Sequence, residues 1–387
     1  MSQSTPLGAP PKSDGARSGQ PPGATDLQLS GGAAIVAPVS AFPGGVPQNA
    51  LIVLPLTQPP AELTQAMAKG PLALELDAMW KLLGFNGPAV QVQDAEGRPI
   101  AIGLEDLLAG LDKHWQDDKN DLNRARLYAQ ELMKYNRFEK AEKVLARVVA
   151  SGGAGEDWLG LGIAQLQQKK WDLAEGTLNG AQNLLPNNPF PTLHLAKVCK
   201  GKSNPKRERE LIEHAIQIDP NSVDGWAYLF TQVKEIENEA KAIEAVSQLA
   251  DAEPNKKSAA PFIALQGFFS AEETKRDQAL EFAKKAVERN DADPLALICL
   301  SALYGQKGQL DKVIELLQKH EGKMASDVRL CNNYFEALFQ TRQMEKVTRL
   351  LNALAGSPNR EVKQFAIERS RFVAQYLKQQ QQQLPGA

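Results

Sequence analysis

Apolar and small residues recur at intervals of three and four positions over residues 158–186, and polar residues fill the positions between them. This spacing predicts two amphipathic helices, because residues three and four apart share one helix face. A run of Gln and Lys separates the two halves and predicts a turn. Gly162 in the first half and Ala174 in the second are small, so the two helix backbones can approach closely. The stretch therefore predicts a helical hairpin.

The same pattern recurs at a fixed interval along most of the chain. Pro186, Pro220 and Pro254 follow one another at intervals of 34 residues, and Trp158 and Trp226 lie two such intervals apart. A fixed period of this length is typical of a repeat protein, in which each unit buries its apolar face against its neighbours. The register predicts units at 122–154, 155–188, 189–222, 223–256, 260–293, 294–327 and 328–361, with a short insertion before the fifth.

A few residues depart from this pattern. Glu208, Phe230 and Phe335 are large residues at positions where other units have small ones, and we expect looser packing around them. In the fifth unit, the register places Gly267 and Ala279 at the small positions where the two helices meet. The period continues through all of these positions, so the departures do not change the predicted fold.

The order of residue types within one unit is distinctive. It runs from a large residue through Leu and Gly to Ala, Leu, Ala and Pro, as in Trp158, Leu161, Gly162, Ala174, Leu178, Ala181 and Pro186. This order resembles the tetratricopeptide repeat (TPR), a helical hairpin of about 34 residues. The resemblance implies an all-α fold, a right-handed α-solenoid of about seven TPR-like hairpins over residues 120–361.

The two ends of the chain differ in composition from the repeats. Residues 1–49 are rich in Pro, Gly, Ser and Ala and offer too little apolar surface to offset the entropy cost of ordering, so we expect a disordered tail. Small apolar clusters at 33–39 and 41–46 leave open a docking role for this tail. Residues 362–387 predict a C-terminal capping helix followed by a Gln-rich end.

Residues 51–116 do not fit the repeat and predict a small α+β or helical capping domain. Alternating apolar residues at 89–93 and 99–102 flank an acidic turn that contains Gly, and they predict a β-hairpin. Two valines of its first strand would then lie opposite two isoleucines of its second. Apolar residues at helical spacing predict helices at 61–69, 72–83 and 103–115.

Charge, cysteine content and hydropathy restrict the partners and the cellular location that the sequence predicts. The formal net charge is −2 and the sequence pI is about 6.2, so we expect no nucleic-acid partner. Cys199, Cys299 and Cys331 are an odd number without CxxC spacing, and we expect buried, reduced thiols. No stretch suits a secretory signal or a transmembrane helix, so the sequence predicts a soluble cytoplasmic protein.

The sequence has no arrangement typical of a catalytic, metal or cofactor site. His114, His194, His214 and His320 are scattered, and neither a nucleophile elbow nor a Gly-rich dinucleotide loop occurs. We therefore expect a non-catalytic protein without cofactor or metal. A basic run at 197–209 falls at a predicted turn and has two interpretations, a solvated turn or a site for an acidic tail or phosphate.

In the family that the chain resembles, the first helices of successive units line a concave groove that binds extended or helical peptides. Carried onto this sequence, the resemblance implies the partner-binding residues Asn123, Arg126, Gln130, Ile163, Leu166, Phe190, His194, Lys197, Lys200, Thr231, Lys234, Phe268, Asn332 and Glu336. Several of them are apolar and three are lysines near the middle of the groove. The expected partner is therefore a protein or peptide, either an amphipathic helix or an apolar-acidic segment.

Three hypotheses about function follow. The favoured one is a non-catalytic scaffold or adaptor that binds a protein or peptide in the concave groove. The alternative is a self-assembling structural protein, forming homo-oligomers or a coat through stacked repeat units. A third, enzymatic activity, would have to lie in residues 51–116, where no nucleophile and base occur together.

Overall fold

The structure is a computed structural model that describes residues 85–86, 88–93 and 99–383. The predicted tail and the predicted helices at 61–69 and 72–83 lie outside the described residues. The described part falls into two compact units, which meet in sequence between Leu185 and Pro186. We call them the first unit and the second unit.

The first unit begins with the predicted β-hairpin. Strand β1 (Ala89–Gln93) pairs antiparallel with β2 (Pro99–Gly103). Val90 lies opposite Ile102 in this register, and the next valine of β1 lies opposite the other isoleucine, as predicted. Helix α1 (Leu104–Asp117) follows β2 directly and buries Trp115 against the first repeat. These elements are the described part of the predicted cap.

Two helical hairpins complete the first unit. Repeat 1 contains α2 (Leu122–Lys134) and α3 (Phe138–Ala150), and repeat 2 contains α4 (Gly155–Gln167) and α5 (Trp171–Leu184). Each pair of helices lies within one predicted unit.

Small residues bring the two helices of repeat 2 together. A Cβ atom added to Gly162 would lie 2.6 Å from two carbon atoms of Leu178, and one added to Gly180 would lie 2.7 Å from the Trp158 ring. Real Cβ atoms do not approach that closely, so only glycine fits at either position without a rearrangement. The close contact predicted at Gly162 is confirmed.

The second unit contains five more hairpins and a final helix. Its helices are α6 (Pro189–Gly201) and α7 (Pro205–Ile218), α8 (Val223–Ile236) and α9 (Glu239–Asp251), α10 (Ala260–Ser270) and α11 (Arg276–Arg289), α12 (Pro294–Gln306) and α13 (Leu310–Gln318), α14 (Val328–Gln340) and α15 (Met344–Ala355), and α16 (Arg360–Gln383). The pairs form repeats 3 to 7. The described residues therefore contain seven hairpins, and the predicted α-solenoid class is confirmed.

Local sequence explains where these helices start. Proline occupies the first turn of α6, α7 and α12, where its missing N–H costs no helical hydrogen bond. Five of the helices are preceded by an Asn or Asp whose side chain accepts hydrogen bonds from backbone N–H groups of the first turn. These residues are Asn188, Asn204, Asn238, Asp293 and Asp327.

The turn between the two helices of a hairpin has a recurring form. One residue after the first helix of a hairpin has a φ value between 56° and 68° in five of the repeats. The residues at this position are Asn136, Lys169, Ser203, Gly308 and Arg342. A residue in this left-handed conformation allows the next N–H to bond back to the helix end and closes the turn. The same short turn is thus reached by five different sequences, and only one of them uses glycine.

Helix contacts define the inner side of the second unit. The first helices α8, α10, α12 and α14 contact their successors, and each second helix contacts the first helix of the next repeat. Second helices of successive repeats make no comparable contact in the described part of the chain. A row of hairpins that touch on one side and diverge on the other curves towards the touching side. The first helices therefore lie on the inner side of this unit.

Two expectations about packing in the second unit are wrong. Glu208, Phe230 and Phe335 are all buried, so packing around them is tight and not loose. Phenylalanine rings of neighbouring helices fill the space beside Phe230 and Phe335. Gly267 does not lie between the helices of repeat 5, although the repeat register places it there. It is exposed, and its neighbour Gln266 is buried instead.

Candidate partner-binding face

The candidate residues of the first unit divide into buried and exposed positions. Leu166 is buried and belongs to the core, Ile163 is half-buried, and Gln130 is exposed. Arg126 donates hydrogen bonds of 2.9 Å and 2.8 Å to the two carboxylate oxygens of Asp157, and its third contact is the amide oxygen of Asn123 at 3.1 Å. Arg126 therefore ties the first helix of repeat 1 to that of repeat 2.

The candidate residues of the second unit lie mostly on α6, α8 and α10, the first helices of repeats 3 to 5. We call the exposed side of α6, α8 and α10 the groove face, defined by Phe190, His194, Lys197, Lys200, Thr231, Lys234 and Phe268. Among these, Phe190 and Phe268 are large apolar residues that are 41% and 38% exposed. Exposed aromatic rings on an otherwise well-packed unit mark a surface suited to a partner.

His194 is held in its neutral form on this face. Its Nδ1 lies 2.8 Å from the backbone carbonyl oxygen of Phe190, so Nδ1 carries the proton and donates it. Burial by surrounding atoms, and secondly the positive charge of Lys197, lower the pKa of His194 to about 4. His194 therefore contributes no charge to the groove face near neutral pH.

Acidic neighbours neutralise two of the three lysines. The amino group of Lys200 lies 2.5 Å from a carboxylate oxygen of Glu235, and that of Lys234 lies 2.6 Å from Glu239. Glu239 also accepts a hydrogen bond of 2.9 Å from Lys275, and the bonds from both lysines lower the pKa of this carboxylate. The positive charge expected near the middle of the groove is therefore largely compensated within the chain.

Lys197 differs from the other two lysines. It makes no ion pair among the described residues, although the charge of Asp224 acts on it from the next repeat. Its side chain is exposed, yet neighbouring atoms crowd it enough that desolvation lowers its pKa. Lys197 is thus the cation of this face most accessible to an anionic group of a partner.

Aromatic rings join repeats 4 and 5 at the groove face. The ring of Phe268 lies 4.5 Å from that of Phe230, and the ring of Phe269 lies 6.0 Å from it in a T-shaped arrangement. The amino group of Lys234 lies 5.6 Å from the centre of the Phe230 ring, within the range of a cation–π contact. Phe230 itself is completely buried, so it holds the exposed Phe268 in place from below.

Open space surrounds the small residues of this inner side. A Cβ atom added to Gly267 on α10, or to Gly305 on α12, would meet no atom within 4 Å. Ala302 on α12 is half-buried and adds little bulk. The backbone of a bound segment could therefore approach these first helices closely.

Asn332 and Glu336 lie elsewhere, under the C-terminal helix. Arg369 of α16 donates a hydrogen bond of 3.1 Å to the amide oxygen of Asn332, and its guanidinium lies 3.6 Å from Glu336. Phe339 on the same helix contacts Phe372 and Tyr376 of α16, with ring centroids 5.4 Å and 5.0 Å apart. The inner side of repeat 7 is therefore covered by the chain itself.

The described residues contain no cluster of three or more His, Cys, Asp or Glu side chains placed to hold a metal ion. All three cysteines are thiols, and burial raises the pKa of Cys299 to about 11 and that of Cys331 to about 12. Such thiols are poorly nucleophilic at neutral pH. None of the helices within the described part of the chain is both long and apolar enough to span a bilayer.

No protein-family model matches the sequence, and no curated protein matches it either. Solved structures of several repeat proteins are similar in part. A MamA fragment from Desulfovibrio magneticus has 18% identity and a TM-score of 0.34, covering 40% of this chain and 88% of that one. PilF from Pseudomonas aeruginosa has 16% identity and a TM-score of 0.29, covering 55% and 97%.

YrrB, described as a TPR protein with an unusual peptide-binding site, has 17% identity and a TM-score of 0.30, covering 49% of this chain and 97% of its own. These likenesses concern the hairpin fold. The assignment to a tandem array of TPR-like hairpins depends on this chain's own repeat, which combines a period of 34 residues with seven hairpins among the described residues.

Sequence reasoning missed three residues that pair with the candidate side chains. Glu235 and Glu239 neutralise the lysines from the end of α8 and the start of α9, and Arg369 covers the last repeat. The turn between α8 and α9 is short, and that shortness is the only sequence signal that could have placed Glu239 beside Lys234. Nothing in the sequence of α16 indicated which side of repeat 7 it covers.

Proposed function

We propose that the groove face binds an apolar segment of a partner protein and that the chain works as a non-catalytic scaffold or adaptor. The observation that carries the proposal is the pair of exposed aromatic rings, Phe190 and Phe268, on the first helices of repeats 3 and 5. Burying such rings in a complex supplies much of the binding energy at protein interfaces.

The charges of the face favour a partner that is mainly apolar. Lys200 and Lys234 are already compensated, so an acidic segment would have to displace Glu235 or Glu239 to gain much from them. A single carboxylate placed next to Lys197 would meet a cation without an ion pair. The partner is therefore an apolar helix or extended segment. It carries at most one or two acidic groups, placed where it contacts Lys197 in repeat 3.

Peptide selection tests this proposal. The full-length chain is immobilised, a library of random peptides is selected on it, and the affinity of the selected peptides is measured against variants. Replacing Phe190 and Phe268 by Ala should weaken binding at least about tenfold, which corresponds to 1.4 kcal/mol. The helical circular-dichroism signal should remain, because both side chains are substantially exposed.

A matched control uses two other exposed apolar residues. Leu173 and Leu184 are 57% and 54% exposed and lie on α5, the second helix of repeat 2 in the first unit. Replacing both by Ala should leave the affinity unchanged. If the selected peptides lose affinity with the leucine variant and keep it with the phenylalanine variant, the groove face is not the binding site.

A further inference from the structure

A first helix within the second unit buries two adjacent stripes of residues. In α14 each residue of the second stripe directly follows one of the first, and all of them are buried. They are Leu330, Tyr334 and Ala337 in the first stripe and Cys331, Phe335 and Leu338 in the second. Successive residues of an α-helix point about 100° apart, so the two stripes face different neighbours.

Close contacts show which neighbour covers which stripe. A Cβ atom added to Gly225, a first-stripe position of α8, would lie 3.0 Å from Ile216 of the preceding helix α7. One added to Gly162, a second-stripe position of α4, would lie 2.6 Å from Leu178 of the other helix in the same hairpin. The second stripe therefore faces the helix that completes the hairpin.

Helix α16 buries only the first of these stripes. Val362, Ala366 and Val373 are buried in the core of repeat 7, and Arg369 in the same stripe is half-buried. The residues that directly follow these four are exposed, except for the half-buried Ile367. We call this side the end face, and its central residues are Lys363, Ile367, Ser370, Ala374 and Leu377. It is the side on which the other first helices carry their second helix.

The charges of the end face all have one sign. Four exposed cations lie within the same third of the helix circumference as its central residues, and they are Arg360, Lys363, Arg371 and Lys378. The described residues give these four side chains no ion pair, whereas Arg369 on the buried side is paired with Glu336. Glu361 and Glu368 lie about a third of a turn away from the centre of the end face.

The shape of the end face suits a helix. Ser370 and Ala374 are small, and they lie between the larger Ile367 and Leu377, so the backbone of a second helix can approach the middle of the face closely. Leu377 is 42% exposed and supplies apolar surface for such a contact. A membrane surface fits less well, because interfacial helices bury a broad apolar face and Ile367 is already half-buried.

We propose that the end face of α16 binds an acidic amphipathic helix of a partner protein, in the place that a second helix takes in the other repeats. Glutamate or aspartate side chains at the edge of that helix would meet the four cations. Contacts between exposed charges select a partner of the opposite sign and speed its association. The end face is separate from the groove face, so this inference goes beyond the proposed function.

Two synthetic peptides test the proposed occupant. Both are helices of about 18 residues with Leu and Ala along one side, and they carry either Glu or Lys at the edges of that side. Fluorescence anisotropy with the full-length chain should show that the acidic peptide binds at least about tenfold more tightly than the basic one. Its affinity should fall as NaCl is raised from about 0.05 to 0.5 M, because salt screens exposed charges. Equal affinities, or no binding of the acidic peptide, overturn the proposal.

Charge reversal locates the contact. The combination of Lys363→Glu, Arg371→Glu and Lys378→Glu should weaken the acidic peptide at least about tenfold, and the fold should persist because all three side chains are exposed. A control with the same change in net charge reverses three exposed lysines elsewhere in the second unit, which are Lys206, Lys256 and Lys257. The control should bind as the original chain does. Equal losses in the two variants would mean that general attraction, and not the end face, holds the peptide.

An apolar substitution tests the helix contact itself. Leu377→Ser should weaken the acidic peptide about fivefold, since it removes apolar surface from the end face. Leu173→Ser on α5 serves as the control, because Leu173 is 57% exposed and lies in the first unit. If Leu377→Ser leaves the affinity unchanged, charge alone attracts the peptide and the proposed docking of a helix is wrong.

Three measurements distinguish other occupants. The chain with Phe190→Ala and Phe268→Ala should keep its affinity for the acidic peptide, and a loss would place the peptide on the groove face, which contradicts this inference and leaves the proposed function intact. Light scattering should show no self-association that the charge reversal abolishes, since that result would assign the end face to a second copy. Flotation with phosphatidylserine vesicles should likewise show no binding that the charge reversal abolishes, since that result would assign it to a lipid surface.

Discussion

The rings of Phe230 and Phe268 lie 4.5 Å apart, centroid to centroid, across the boundary between repeats 4 and 5. Phe230 is completely buried, whereas Phe268 is 38% exposed. One ring therefore belongs to the core and the other to the surface that it supports. Phe230, at a position that is small in other repeats, therefore packs in the core and contacts the exposed Phe268.

The two rings should respond very differently to truncation. Phe230→Ala removes a fully buried ring and should lower the free energy of unfolding by about 3–5 kcal/mol. Phe268→Ala should cost only about 1–2 kcal/mol, since more than a third of this side chain already meets water. Guanidinium denaturation followed by circular dichroism measures both. Similar midpoints for the two variants would show that Phe230 is not the support.

Two glycines of repeat 2 make a matched pair for testing helix contact. Gly162→Ala puts a Cβ atom 2.6 Å from two carbons of the buried Leu178 and should destabilise the protein by about 1–3 kcal/mol. At Gly176 an added Cβ meets nothing within 4 Å, so Gly176→Ala should stabilise the helix by about 0.5–1 kcal/mol. Thermal unfolding of both variants tests this prediction. Changes of the same sign in their unfolding temperatures would refute the predicted contact.

The hairpins were predictable because their signal is local. Gly162 packs on Leu178 within one hairpin, Pro186, Pro220 and Pro254 act on the turns beside them, and a period of 34 residues repeats such information along the chain. The β-hairpin before α1 was predictable for the same reason, since alternation and a turn define its register.

The rest could not be predicted, because it depends on contacts between repeats. Gly267 is exposed although the repeat register places it between the two helices, and no residue within α10 indicates this. Phe230 and Phe335 were expected to loosen their surroundings, yet Phe268 of α10 and Phe365 of α16 fill the space beside them. Glu239 compensates Lys234 only because the α8–α9 turn is short.

The packing of the C-terminal helix α16 on repeat 7 should depend on Arg369. Arg369 reaches Asn332 and Glu336 on α14, and its guanidinium lies 5.3 Å and 5.5 Å from the ring centres of Phe335 and Phe365. Arg369→Ala should cost about 1–2 kcal/mol, because it removes hydrogen bonds and cation–π contacts at a half-buried site.

Hydrogen exchange locates this effect. The amides of α16 should exchange several-fold faster in the Arg369→Ala variant, since the helix opens more often from repeat 7. The neighbouring Arg371 is exposed, and Arg371→Ala should leave exchange in α16 unchanged. Equal exchange rates in the two variants would show that the apolar contacts of α16 alone hold it.

The pair formed by Arg126 and Asp157 predicts how stability depends on pH. Hydrogen bonds from Arg126 and from the backbone N–H of Ala154 lower the pKa of the Asp157 carboxylate, which is only 6% exposed. A carboxylate with a lowered pKa in the folded state contributes its full stabilisation above its unfolded pKa of about 3.9. As the pH falls below that value the unfolded chain binds the proton first, and the contribution disappears by the folded pKa.

Asp157→Asn should therefore lower the free energy of unfolding at pH 7 by about 1–3 kcal/mol, and the loss should shrink as the pH falls below about 4. Denaturant midpoints measured from pH 7 to pH 3 test this for the wild type and the variant. Glu244→Gln serves as the control, because the ion pair of Glu244 with Lys241 is exposed and contributes little at any pH. A constant difference between wild type and Asp157→Asn across this range would mean that Asp157 acts through its shape and not through its charge.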